Sequence, residues 1–353
     1  MKAADDIYLA GIGLCLPPAV STADAVARGW YDASDRASSG LDGVTVAGDR
    51  PAPDIAVAAS RDALAQAGID ADRFGALVYT PTYHQGPDGW SAPHYVLRHT
   101  LDRPISAVEL RQGCVGMIAG IELAVHRLAA DPAADAVLVA TADNFSVPIV
   151  DRWRAARLFV LGDGGAAAVV SRTAGFARVL SVATHSNPLM EEMHRGGEEL
   201  FPPGITRGVS LNFEERSEYW RAQWAAGVTP PMGNLGDCLA AAADAALADA
   251  GIAMDKVVRV CHVGFARGPL HAVYLDPIDI DEARGTFEIT RRYGHVGAAD
   301  PFIGLEHLWR TGAVGPGDHV MLIAAGPGMT ASCVLLEIVA PFPGNGDEAE
   351  GDE

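Results

Sequence analysis

The chain has 353 residues, 49% of them apolar, and its 45 acidic against 26 basic side chains give a formal charge of −19. That excess disfavours nonspecific attraction to nucleic acid or to an anionic membrane surface, so neither is expected as a partner. Five scattered cysteines, with no CxxC pair and no Cys/His cluster at zinc spacing, argue against a disulfide framework or a structural metal and fit a reducing cytoplasm.

The N-terminus MKAADDIYLAGIGLCLPPAV carries Asp5 and Asp6 ahead of a short apolar run, which makes a poor secretion signal, and no segment approaches a membrane span in length. Strands are predicted at 7–16, 76–81, 106–111, 136–142 and 166–172. Helices fill the gaps at 54–68, behind Asp54 as N-cap and stopped by Gly68, and at 116–130, stopped before Asp131-Pro132. A second series begins with a strand at 176–187. It continues with a helix at 235–250, strands near 258–265 and 286–290, a helix at 297–310, and strands at 319–325 and 331–339. Short apolar runs alternating with Ala-rich helical patterns indicate a mainly parallel α/β sheet. Residues 18–53 and 188–234 are predicted irregular. They hold Trp30, Tyr31, Phe213, Tyr219, Trp220 and Trp224, and read as site-lining insertions. The tail 343–353 reads as a disordered acidic end.

The two series are related by more than element order. Gly-Cys-Val-Gly occurs at 113–116 and Gly-His-Val-Gly at 294–297, and ALAQAGIDADRF (63–74) matches ALADAGIAMDKV (246–257) at nearly the same offset. A repeat this long points to a duplicated and fused half rather than to a solenoid. The halves are placed at 1–173 and 174–342, with Cys114 and His295 opening equivalent helices.

Cys114 follows a strand and precedes a long apolar helix, where free N–H groups and the positive end of the helix dipole favour thiolate over thiol. A small buried residue at a tight turn is the competing reading. His295 holds the same position in the second half, and its N-terminal helix end brings it toward Cys114 if the halves face each other. Asp300, five residues on, is either the acceptor for the imidazole Nδ1–H or a helix-start residue. The glycine-rich turn at 326–330 would supply backbone donors for an oxyanion beside that of Cys114.

With these residues in view, the chain resembles the ketoacyl-acyl-carrier-protein synthase III group of the thiolase superfamily over residues 5–340. The matching stretches are IYLAGIGLCLPP, GCVGMIAGIELA, LGDGGAAAVVSR, YGHVGAAD and GPGMTASCVLLEIV. The resemblance implies a thiolase-like, five-layered αβαβα fold built from two duplicated halves, and a homodimer. It further implies an acyl group carried on Cys114 from coenzyme A or an acyl carrier protein, with no bound cofactor or metal. It puts the second oxyanion donor at Gly328 and aligns Trp30, Arg152 and Trp153 with the pantetheine channel. Arg267, with Arg152, Arg154 and Arg157, offers basic side chains for an acidic carrier.

The departures are informative. Condensing members of the family use a His in a His-Gln-Ala-Asn segment and an Asn to stabilise the enolate formed on decarboxylation. By spacing, Val263 stands at the first position, with His262 one residue early on the opposite face of the strand, and His295 replaces the Asn. A Cys-His-Asp set instead resembles the antibiotic-pathway acyltransferase subgroup, of the cervimycin malonyltransferase and daunorubicin starter-unit synthase type. The expected reaction is therefore acyl transfer from Cys114 to a hydroxyl or amine, with decarboxylative starter-unit condensation in polyketide or fatty acid synthesis as the alternative.

Overall fold

The computed structural model describes residues 1–3, 7–228 and 235–344; the acidic tail from 345 onward lies outside them. The strands are β1 (Tyr8–Cys15), β2 (Ala19–Ser21), β3 (Gly43–Thr45), β4 (Phe74–Tyr79), β5 (Ser106–Glu109), β6 (Ala136–Asp143), β7 (Gly164–Ser171), β8 (Ala177–Ser186), β9 (Val257–Cys261), β10 (His319–Gly326) and β11 (Thr330–Ile338). All but β2 and β3 pair in the order β5-β4-β6-β7-β1-β8-β11-β10-β9.

The seam between β1 and β8 is slight, two residue pairs, Tyr8 with Arg178 and Leu9 with Ala177. Read outward from it, the first half runs β1, β7, β6, β4, β5 and the second β8, β11, β10, β9. Ranked by chain order within each half, the first gives first, fifth, fourth, second, and the second, with four strands, gives first, fourth, third, second, the same order with one strand missing. The first half alone adds its third strand at the edge. The corresponding segment of the second half, predicted as a strand at 286–290, is the short helix Phe287–Thr290. Phe287 and Thr290 are both buried, at 1% and 2% exposure. Residues three apart share a face on a helix and lie on opposite faces of a strand.

Both faces of the sheet are covered. Along β6, Val137 and Val139 enter one apolar core, while Ala136, Leu138 and Ala140 enter another, the pattern of a strand buried on both sides. The Ala52–Ala67 helix packs on β1 and β7. It sits so close that a Cβ on Gly11 would fall 2.1 Å from the Ala63 carbonyl oxygen and one on Gly13 2.2 Å from that of Ala59. Its start differs from expectation, because Pro51 is the N-cap and Asp54 lies in the first turn. The Leu235–Ala250 helix covers β8 and β11 in the equivalent place. Between the two half-sheets, Ile118 and Ile121 of the Gly116–Ala130 helix and Phe302 and Leu305 of the Asp300–Arg310 helix share one core. Outer helix, half-sheet, inner helices, half-sheet and outer helix make the five layers. Among the described residues one helical segment, Gly113–Ala130, is apolar and long enough to match a membrane span by composition, and it is this inner core helix.

The two stretches predicted irregular contain short elements. The first forms the β2–β3 ribbon and the helices Thr22–Ala27 and Ala33–Ser39. The second holds Glu191–Arg195 and the longer Phe213–Ala225 helix, whose first N–H groups, on Glu214 and Glu215, donate to the side chain of Asn212. Residues 229–234 of that stretch lie outside the described residues.

Candidate active site

The segment that carries the candidate nucleophile Cys114 is a tight turn. Gly113 has φ +59°, a left-handed conformation that favours glycine, and its Cβ position lies 2.5 Å from Pro327 Cδ. Gly113–Val115 form a 3₁₀ turn that feeds the Gly116–Ala130 helix, so the half-buried Cys114 stands just ahead of a helix N-terminus. The 326–329 turn between β10 and β11 therefore packs against the nucleophile segment, and a Cβ on Gly326 would come 3.3 Å from the Cys114 nitrogen.

His295 reaches the same point from the second half. Its backbone is pinned from both sides, its N–H donating to Val160 O (2.8 Å) and its carbonyl accepting from Gly162 N–H (2.9 Å). The imidazole Nε2 lies 2.9 Å from Cys114 Sγ, and Nδ1–H donates to Asp300 Oδ2 at 2.5 Å. Asp300 is wholly buried and accepts from two backbone N–H groups as well, Gly264 at 2.6 Å and Val296 at 2.7 Å. Four hydrogen bonds with backbone partners, at Val160, Gly162, Gly264 and Val296, thus fix the Asp300–His295 pair behind the thiol. Phe159 and Phe265 wall the imidazole, with ring centroids 4.8 and 5.5 Å away.

Burial alone would disfavour a charged imidazole here. The negative charge of Cys114 and that of Asp300, with hydrogen bonds to both, outweigh it and hold His295 well above its ordinary range. Of the other four cysteines, Cys238, Cys261 and Cys333 are buried packing residues and Cys15 is half-buried at the end of β1. Desolvation pushes the thiols of Cys15, Cys238, Cys261 and Cys333 up.

His262 has a separate role. Its Nε2 accepts from Thr286 N–H at 3.0 Å, so Nδ1 carries the proton and donates to Val263 O at 2.8 Å. Both ring nitrogens are thereby used away from Cys114, and Val263 at the neighbouring position is fully buried. Burial lowers the His262 pKa to about 4, outweighing the raising effects of the Val263 carbonyl, Asp300 and Glu282. Between about 4 and the ordinary 6.5 the unfolded chain binds this proton and the folded chain does not. The stabilisation is therefore complete above pH 6.5 and is lost as pH falls toward 4, by up to about 3 kcal/mol. His262→Gln should flatten that part of the stability profile, which urea unfolding at a series of pH values reads directly.

The remaining sites expected from sequence separate into two groups. Trp30 is exposed and lies beside Trp153, centroids 6.4 Å apart, with Arg28 over its face at 4.8 Å. Trp153 itself is largely buried against Tyr31, Val44 and Val160. Arg152 corrects the expectation of a ligand-facing cation. Its guanidinium is buried and grips Asp163 at 2.7 and 2.9 Å, while Asp163 also accepts from the N–H groups of Ala47 and Phe145. Desolvated and bidentate, this pair braces the loop that carries Leu161 and Gly162, against which the His295 backbone is held. Arg267 is half exposed, lies over the Phe287 ring at 4.8 Å, and is flanked by Glu282 and Glu288 at 3.3 and 3.5 Å. Arg154 and Arg157 likewise have acidic partners, Asp151 and Glu214. Sequence reasoning missed the bracing role of Asp163, the dual use of His262, and Phe159 and Phe265. Ring contacts between distant segments have no local sequence signal.

Comparison with known proteins points to a family of acyl-transferring enzymes. Family models described as 3-oxoacyl-[acyl-carrier-protein] synthase III match residues 108–188, and their C-terminal counterpart matches residues 247–338. Beta-ketoacyl-[acyl-carrier-protein] synthase III 2 of Vibrio vulnificus is 27% identical over 93% of this chain and 87% of its own. Synthase III 3 of Streptomyces coelicolor is 28% identical over 95% and 98%. Among solved structures, ChlB3, titled an acyltransferase, superposes with TM-score 0.90 at 36% identity, covering 95% of this chain and 98% of its own. The synthase III of Pseudomonas aeruginosa shares the fold at TM-score 0.76 and 22% identity, over 96% of this chain and 100% of its own. A Cys–His–Asp line at the meeting point of two thiolase-like halves, matched along nearly its whole length by an acyltransferase, makes this an acyl-transferring enzyme, and the chain belongs to the 3-oxoacyl-[acyl-carrier-protein] synthase III family.

Proposed function

We propose that the protein is a tailoring acyltransferase, taking an acyl group from coenzyme A or an acyl carrier protein onto Cys114 and passing it to a hydroxyl or amine in secondary-metabolite biosynthesis. The observation that carries this reading is the pairing of one imidazole with Cys114 while the second, His262, is spent on Thr286 and Val263. The Cys114 thiolate attacks the thioester carbonyl, and the backbone N–H groups of Cys114 and Gly328 receive the oxyanion. As the carbon–sulfur bond to the donor breaks, the leaving thiolate takes the proton from His295. Acylation removes the negative charge that held the imidazole protonated, leaving a neutral base beside the acyl-enzyme. His295 Nε2 then accepts the acceptor's proton as its oxygen or nitrogen attacks, and collapse expels the Cys114 thiolate. Asp300 keeps Nδ1–H fixed through both steps.

No bound cofactor takes part. Trp30 and Trp153 flank the approach of the pantetheine arm, and the protein acts as a cytoplasmic homodimer of two-half subunits, divided at 173/174. A second reading, decarboxylative starter-unit condensation, draws on the names of the curated relatives, which are beta-ketoacyl synthases.

His295→Ala should slow both loading and transfer. Asp300→Asn should leave loading measurable but cut transfer by roughly 10²- to 10⁴-fold, by analogy with orienting aspartates of catalytic triads. Single-turnover mass spectrometry of the acyl-enzyme separates the two steps, and equal transfer rates in all three proteins would refute the triad.

A further inference from the structure

One buried side chain outside the Cys–His–Asp line connects to both of its flanks. Tyr274 lies on a single π-helical turn, His271–Leu275, in which the Asp276 N–H reaches back five residues to the His271 carbonyl. Such turns are rare and are frequent at functional sites when they occur. The Tyr274 side chain is fully buried. Its hydroxyl donates to the Ala325 carbonyl at 3.5 Å, its one hydrogen bond among the described residues, and its ring stands edge-on to Phe265 with centroids 5.3 Å apart.

Each contact leads to one arm of the site. Ala325 immediately precedes the 326–329 turn, where a Cβ on Gly326 would come 3.0 Å from the Gln112 carbonyl oxygen and 3.3 Å from the Cys114 nitrogen. Phe265 is the ring that stands edge-on to His295, centroids 5.5 Å apart. Burial pushes the Tyr274 pKa well up, and the negative charges of Cys114 and Asp300 add to it. The hydroxyl therefore keeps its proton and remains a donor to Ala325. Packing alone calls for phenylalanine at this position, because burying a hydroxyl on one long hydrogen bond gains little stability. The oxygen is explained by what it holds, the last strand residue before the turn that lies on the Cys114 nitrogen.

We propose that Tyr274, its ring seated against Phe265, is a positioning residue that holds the 326–329 turn, and with it the Gly328 oxyanion donor, through the Ala325 carbonyl. The catalytic consequence rests on the acyl-transfer reading, but the positioning can be measured without substrate. Tyr274→Phe keeps the ring and removes the hydroxyl. Hydrogen exchange read by mass spectrometry should be about tenfold faster in the 326–330 amides of the variant, a local opening. With an acyl thioester, loading of Cys114 and transfer from it should both slow by about tenfold or more, because the same donors serve both tetrahedral intermediates, while the half-saturating thioester concentration stays at the wild-type value. That parallel loss differs from Asp300→Asn, which spares loading. It differs also from a purely structural role, which would lower the melting temperature and leave the rate per folded molecule unchanged. Exchange at the wild-type rate, or a variant that loads and transfers as fast as the wild type, overturns the assignment. Faster exchange in the variant, with no acyl group taken up by either protein, would instead sink the acyl-transfer reading and leave the positioning role standing.

Discussion

Cys114→Ala should accumulate no acyl-enzyme with any acyl thioester, and turnover should fall by about 10⁴-fold or more, as for other nucleophiles that act as a unit with their base. The fold should survive. The residue is half buried in a 3₁₀ turn, and its thiol touches the imidazole rather than filling the core. Loss of the thiolate should also lower the affinity of His295 for its proton, because that charge is the largest of the influences raising it. Intact-protein mass spectrometry after incubation with an acyl thioester provides the check, and NMR titration of the imidazole tests the second effect. Acyl mass retained covalently by the Ala variant would show that another residue is the nucleophile.

The second large effect concerns a malonyl donor. Decarboxylation needs donors for the enolate, and this site offers His295 alone, because His262 is locked to Thr286 and Val263 and Val263 offers no hydrogen bond. At an oxyanion-type site each missing donor is worth roughly 3–4 kcal/mol, so condensation should be slower by several orders of magnitude than in a fully equipped site. Malonyl thioester should load onto Cys114 with its carboxylate retained and pass intact to a hydroxylated acceptor. The measurement is carbon dioxide release against product mass, with and without acceptor. Rapid acceptor-independent decarboxylation, or a β-keto product formed as fast as ester, would favour starter-unit condensation.

Much of this arrangement is legible in the sequence, because the candidate nucleophile and base sit at repeated positions. The Gly-x-Val-Gly pair marks Cys114 and His295 as counterparts, and apolar runs with Gly stops locate the strands and inner helices closely. Asp300 was an open choice between helix start and imidazole partner, and the structure gives it both, opening a helix while bonded to His295. The misread elements have physical reasons. The apolar segment at 286–290 resembles a strand until the three-residue spacing of its buried side chains is known. The 213–225 helix is polar around most of its circumference and gives little periodic signal; among its residues only Trp220 is buried. Arg152 looked like a surface cation, since nothing local in the sequence announces a partner at Asp163.

The seam between the halves bears on how the enzyme comes into being on the ribosome. Cys114 and its turn belong to the first half, while the imidazole lies 181 residues later and the Pro327 that packs on Gly113 later still. A growing chain can therefore complete the first half-sheet with its thiol in place but with neither base nor closing turn. β1 then waits as an open edge for β8, and the site closes only when β11, whose register runs along the whole of β8, has emerged. Between the synthesis of Cys114 and that of His295 the growing polypeptide carries the cysteine without its imidazole partner, and the Cys–His–Asp line is assembled only once the second half has been made.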